Sequence, residues 1–285
     1  MLRRTIQDLV ARYALEPALR DVYVEGAFDE RVLRLFFKES KCDRPSVNVI
    51  DLVEIPDAIL EKYSMTRGEK AELLALAAEL RILLGPIANF VAVVDADFDR
   101  VLGQVSENPL VITTDFTCME MYWIDETTVE RFFTWIGRQG RGLSDFFGDI
   151  FGVAREMFLI RCSLVAINAR IPAIPVRKYC GRAGHALALD KGRYCRSLLT
   201  SAGAGAREAE LLAETGRLGL LLQSDPRHCT HGHDLAELIY IAYKDLIGPL
   251  GLRDTESVKL MIKISMPVHR LAEYPLFQRL LERAC

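Results

Sequence analysis

Phe90-Val-Ala-Val-Val94 is the segment that most restricts what this chain can fold into. Five consecutive apolar residues follow a Gly85-Pro86 break and end abruptly at Asp95. An uninterrupted apolar, β-branched run suits a strand buried on both faces, as in a parallel sheet covered by helices. Leu110-Val-Ile-Thr113 has the same character, and Asp21-Val-Tyr-Val-Glu25 and Val47-Asn-Val-Ile50 read as two more strands. Helical spacing fills the gaps between them. Residues 1–14 place Ile6, Leu9, Val10 and Tyr13 on one face. Phe28, Val32, Leu35 and Phe36 mark a second helix, with Asp29 as its expected N-cap. Thr66 to Leu84 is a third, opened by an expected Thr66–Glu69 capping box and striped by Leu73, Leu76, Ala77, Leu80, Leu83 and Leu84. Strands alternating with helices over residues 20–115 predict an α/β fold, a parallel sheet flanked by helices.

The texture changes after about residue 125. Strand signals become sparse, and Phe146–Ile167, Arg207–Leu222, Asp234–Ile247, Thr255–Ile264 and Leu271–Arg283 read as helices. Ser201–Ala206 reads as a connector. The expected organisation is therefore an α/β catalytic domain over residues 1–125 and a mainly helical substrate-binding and interaction region over residues 126–285. A composition of 50% hydrophobic and 26% charged residues excludes a disordered chain or a collagen. No stretch reaches the ~18 uncharged apolar residues of a membrane helix. The first ten residues lack the apolar core of a secretory signal, so a cytoplasmic location is expected. The seven cysteines form no CxxC pair and are expected to be reduced there.

Carboxylates gather where the strands end. Glu25 leaves the first strand in Val24-Glu25-Gly26-Ala27-Phe28-Asp29. Asp95, Asp97 and Asp99 leave the buried strand, and Asp115 and Glu120 follow Thr113-Thr114. Ligands of open parallel sheets bind beyond the carboxyl ends of the strands, so Glu25 and Asp95 converge if their strands are neighbours. Crowded carboxylates need protons or cations, and oxygen-only donors favour Mg²⁺ or Mn²⁺. Such a metal can promote phosphodiester cleavage, with Glu25 placed as general acid or base. Gly26 is expected to let the backbone approach that site closely.

The Glu25-Gly26 motif and Val94-Asp95-Ala96-Asp97, in this order and with the intervening elements, resemble the two signature motifs of the Toprim domain. The resemblance covers residues 20–120. It implies Glu25 as acid/base and Asp95 and Asp97 as Mg²⁺ ligands; Asp99, an extra carboxylate beyond the motif, and Glu120 are further candidate ligands. The chain is too short for a topoisomerase with its cleavage domains and lacks a Walker A motif, so it differs from the larger Toprim enzymes. It is similar to the compact, AriB-like Toprim family of PARIS-type anti-phage defence. That resemblance implies a toxic nuclease, tRNA as the target and an ABC-type ATPase as sensor subunit.

A net charge of −3 conceals strong segregation. Residues 1–136 carry −9, residues 137–207 carry +8, and residues 208–285 carry −2. Arg177, Lys178, Arg182, Lys191, Arg193 and Arg196 form the densest basic cluster, interleaved with Tyr179 and Tyr194. Lys and Arg grip phosphates and tyrosines stack on unpaired bases, so this cluster is the candidate nucleic-acid surface. A solvated face or a surface for an acidic partner is the alternative. The helical half is expected to bind substrate and to mediate association, with the ATPase or as a homodimer. His228-Cys229-Thr230-His231-Gly232-His233 reads chiefly as a loop before a helix N-capped by Asp234. A zinc site has no standard spacing there, and a third option brings His231 or His233 to the active site. Two rival functions remain: a non-catalytic Toprim-like protein that docks on an ABC ATPase, and a DxD phosphotransferase or phosphatase.

Overall fold

The computed structural model describes residues 3–85, 87, 89–183 and 186–285. Pro86, half of the expected Gly85-Pro86 break, lies outside them. In chain order the first half runs α1 (Ile6–Leu15), β1 (Asp21–Val24), α2 (Ala27–Glu39), β2 (Ser46–Val49), α3 (Asp57–Lys62), α4 (Glu69–Leu84), β3 (Phe90–Val94), α5 (Asp99–Leu102) and β4 (Val111–Thr113). The remainder runs α6 (Glu126–Trp135), α7 (Leu143–Ala166), β5 (Cys180–Ala183), β6 (Ala186–Leu189), α8 (Lys191–Ser201), α9 (Glu208–Gly219), α10 (Gly232–Ile247), α11 (Thr255–Ile264) and α12 (Pro275–Ala284).

Two compact units result, and they do not follow a single cut after residue 125. The first comprises residues up to Ala96, residues 105–115 and residues 267–285. The second comprises residues 97–104 and 116–266. The boundary thus runs through the DxD motif, between Ala96 and Asp97.

The first unit is a four-stranded parallel sheet of order β2-β1-β3-β4. All five residues of β3 are buried, as are Val22, Tyr23 and Val24 of β1, which meets the expectation for a sheet covered on both faces. Tyr23 stacks on Phe90 at 5.4 Å, and Leu73, Leu76, Ala77 and Leu80 of α4 join the same core. Leu83 is half exposed, so the α4 stripe is shorter than its sequence suggests. In α2 the buried residues are Val32, Leu33, Phe36 and Phe37, while Leu35 is exposed. Phe277 of α12 packs edge-on against Phe36 at 4.8 Å, bringing the C-terminal segment into this unit. Cys42 and Cys285 form a disulfide, which corrects the expectation of reduced thiols throughout. The other five cysteines are buried and stand outside any disulfide among the described residues.

The second unit is helical around α7 and α10. Its buried Asp149 binds Arg141 at 2.9 Å and the Tyr243 hydroxyl at 2.7 Å. A β5–β6 hairpin, unexpected from sequence, interrupts the helices. The segment expected as a connector, Ser201–Ala206, joins α8 to α9: α8 ends at Ser201, Gly203 turns at φ +70°, and Gly205–Arg207 form a 3-10 turn before α9.

Candidate acidic site

β1 and β3 are hydrogen-bonded neighbours, with Val24 in register with Val93. The residues that leave their carboxyl ends therefore share one sheet edge, which is where Glu25 and Asp95 stand. The Asp95 N–H donates to Glu25 Oε1 at 2.8 Å, and both residues are half-buried. Thr114 braces the same edge: its N–H donates to the Val94 carbonyl and its hydroxyl accepts the Ala96 N–H, each at 2.9 Å. Asp115 accepts the Leu276 N–H at 3.1 Å and lies 3.9 Å from Arg279, so it ties the C-terminal segment to the sheet.

Asp29 is not the N-cap of α2. Gly26 occupies that position, and the Asp29 carboxylate reaches back to accept the Gly26 N–H at 3.3 Å. Gly26 has an ordinary extended backbone, and a Cβ there would meet Asp29 at 3.9 Å, so nothing in the structure requires a glycine. A hollow of about 370 Å³ opens beside Glu25, lined also by Thr66, Gly68, Glu69 and Lys70. The expected Thr66–Glu69 capping box is absent, because α4 begins at Glu69 with Gly68 as N-cap. Lys70 is the site neighbour that sequence reasoning missed. Its position two residues into α4 carries no signal that Glu25 lies across the hollow.

In the second unit, Asp97 adopts φ +43°. A non-glycine residue in this region carries of order 1–3 kcal/mol of strain, and aspartate tolerates it better than most. The Asp97 N–H donates to the Thr117 carbonyl at 2.8 Å. Thr117 is anchored in turn: its hydroxyl binds the Thr230 carbonyl, and its N–H donates to the Arg227 carbonyl at 3.3 Å. His231 Nε2 stands 3.9 Å from Asp97 Oδ1, within reach of the third option for the histidine segment. Burial lowers the His231 pKa, and the Asp234 and Asp97 carboxylates oppose that shift.

Asp99 opens α5 and is half-buried. Glu120 sits against the start of α10, where a Cβ on Gly232 would lie 2.5 Å from Glu120 Oε2. A carboxylate is favourable at this positive helix end, and Gly232 must be glycine to admit it. Asp234 does not cap α10. His231 is the N-cap, and Asp234 is buried in an ion pair with Arg161.

Among the described residues, no three His, Cys, Asp or Glu side chains are gathered closely enough to cage a cation. The donors of the DxD motif are all oxygen, the donor type that Mg²⁺ takes alongside water and phosphate oxygens. A zinc site fits poorly: burial pushes the Cys229 thiol up to about 11, and that thiol faces the Pro226 carbonyl at 3.4 Å.

Arg177, Lys178, Arg182, Lys191, Arg193 and Arg196 are all exposed. Arg182 pairs with Asp245, and Arg193 lies over the Tyr179 ring at 5.6 Å. Tyr194 corrects the expectation of a stacking surface: it is fully buried, with Leu198 one turn further along α8. Tyr179 is half-buried against it, with ring centroids 5.6 Å apart. No known family model and no curated protein matches this chain.

Proposed function

We propose that this chain is a Mg²⁺-dependent Toprim-type nuclease, the toxic effector of an anti-phage system of the PARIS kind. In this reading it cleaves RNA, with tRNA as target, when released from an ABC-type ATPase. One observation carries the proposal. Two carboxylates, Glu25 and Asp95, stand together where adjacent parallel strands end, and a backbone N–H of one orients the other. That arrangement is what the Glu-Gly and DxD motifs require if they act on one phosphodiester.

Glu25 takes the proton from the attacking water or returns it to the leaving oxygen, as the water oxygen bonds to phosphorus and the ester P–O bond breaks. Asp95 and Asp97 hold the Mg²⁺, with Asp99 and Glu120 as further candidate donors. When bound, Mg²⁺ supplies stabilisation of charge on the phosphate and acidification of water. The exposed cations Arg177, Lys178, Arg182, Lys191, Arg193 and Arg196 grip the nucleic-acid backbone.

The test incubates the purified chain with tRNA, other RNA and DNA, with and without Mg²⁺. Cleavage that needs the metal and is greatest on tRNA is expected. No cleavage of any nucleic acid, together with undiminished toxicity of Glu25→Ala in cells, would leave the non-catalytic docking protein as the better reading.

A further inference from the structure

A second concavity lies wholly within the helical unit, and the cleavage chemistry does not use it. α6 and α11 line it, together with residues 250–252. Its volume of about 530 Å³ falls in the range of small-molecule sites, which are mostly apolar with a few polar groups that fix orientation. Trp123 and Phe132 are 1% and 6% exposed. Trp135, Leu260 and Ile264 are 72%, 58% and 77% exposed, so large apolar side chains meet water around one hollow.

The polar side chains of the lining narrow the choice of occupant. The Thr128 hydroxyl donates to Asp125 Oδ2 at 2.5 Å. The Ser257 hydroxyl is bound to Asp254. The Ser265 hydroxyl accepts the Trp123 indole N–H at 2.8 Å and donates to the Met261 carbonyl at 2.6 Å. These three groups are consumed by the protein itself. Arg131 differs: it is exposed, lines the hollow, and makes no hydrogen bond or ion pair among the described residues. The lining therefore offers apolar and aromatic surface and one cation.

We infer that this groove binds an amphiphilic anion, an apolar chain or ring system bearing a single carboxylate. The apolar body covers Trp123, Phe132 and the exposed walls, and the carboxylate pairs with Arg131. A neutral hydrocarbon would forgo the ion pair that the exposed Arg131 offers, and a strongly polar ligand would find the hydroxyls already bonded. Because the cavity takes no part in the proposed cleavage, the inference stands or falls independently of the nuclease reading.

The chain contains two tryptophans, and both line this groove, so their emission reports on its occupancy. The test titrates the full chain with octanoate, decanoate and dodecanoate below their aggregation concentrations, with decanol as the neutral probe. A saturable change in emission is expected, tightening about fourfold per added methylene until the groove is full. Arg131→Ala should weaken decanoate about tenfold or more and leave decanol unchanged. Leu260→Glu, at an exposed position where the fold tolerates charge, should weaken both. If no alkanoate gives a saturable change, the groove is a protein contact surface and the inference is overturned. It is overturned equally if Arg131→Ala binds decanoate as the unmodified chain does.

Discussion

The two edges of the parallel sheet carry the same kind of residue and hold it in opposite ways. At the entry edge, Asp21 begins β1 and is 1% exposed. The Tyr13 hydroxyl donates to its Oδ2 at 3.1 Å, Arg12 stands 3.7 Å away, and Oδ1 is buried with no hydrogen-bond partner among the described residues. Burial raises the Asp21 pKa, and Arg12 and Tyr13 only partly offset it. Nearby, the Asn89 side chain donates to the Glu16 and Leu19 carbonyls at 3.2 and 3.3 Å. Cys42, four residues before β2, ties this region to Cys285. At the exit edge, Glu25 is half-buried, borders a hollow, and is oriented by a backbone N–H. A carboxylate enclosed by fixed partners belongs to the scaffold. The proposed chemistry falls to the carboxylate that borders a hollow.

The contrast can be broken most severely at Asp95. Asp95→Asn keeps the side-chain shape and removes a charge from the exit edge. Cleavage should fall on the order of 10²–10³-fold with the unfolding midpoint unchanged. Parallel loss of stability would mean that this edge is scaffold too. The disulfide comes next. Cys285→Ser should cost about 2–4 kcal/mol in denaturant unfolding, through the freedom regained by the unfolded chain, and leave kcat intact.

Asp21→Asn gives a smaller effect with a definite pH signature. A carboxyl whose pKa is raised on folding contributes stability that is fully present below its unfolded pKa of about 3.9. That contribution disappears as pH rises through the folded pKa. The asparagine variant should therefore gain on the unmodified chain between about pH 4 and pH 7, as read by denaturant midpoints at both ends of that range. A difference that is constant with pH contradicts the assigned environment. Smallest is Asp29→Ala, the exit-edge carboxylate that accepts the Gly26 N–H at the start of α2. It should cost about 1 kcal/mol or less, with cleavage retained.

The strands of the first unit were legible because burial on both faces leaves a chemical trace. Val22-Tyr-Val24 and Phe90–Val94 contain no charged residue, and none of the alternating polar positions that a strand with one wet face shows. The β5–β6 hairpin was illegible for the converse reason. Cys-Gly-Arg-Ala and Ala-Leu-Ala-Leu are short, lack β-branched residues and fit helix as well as strand. Asp29 and Asp234 show why helix starts were misplaced. Both sit at the third residue of their helices, where Asp29 reaches back to the N-cap N–H and Asp234 pairs with Arg161. In sequence, such a residue cannot be told from the cap itself. The Glu25–Asp95 pairing was legible as a condition on strand order, and the observed order β2-β1-β3-β4 satisfies it. His231 beside Asp97, and Cys42 bonded to Cys285 across 243 positions, depend on long-range packing that no local pattern encodes.

On the proposed function, β1 begins at a structural carboxylate, Asp21, and runs out at a catalytic one, Glu25. The most direct test measures Mg²⁺-dependent tRNA cleavage and unfolding midpoint for Asp21→Asn and Glu25→Gln side by side. Glu25→Gln should lose about 10²–10⁴-fold in cleavage at unchanged stability, while Asp21→Asn should shift stability and cleave normally. Cleavage by Glu25→Gln at the rate of the unmodified chain would contradict the proposed function.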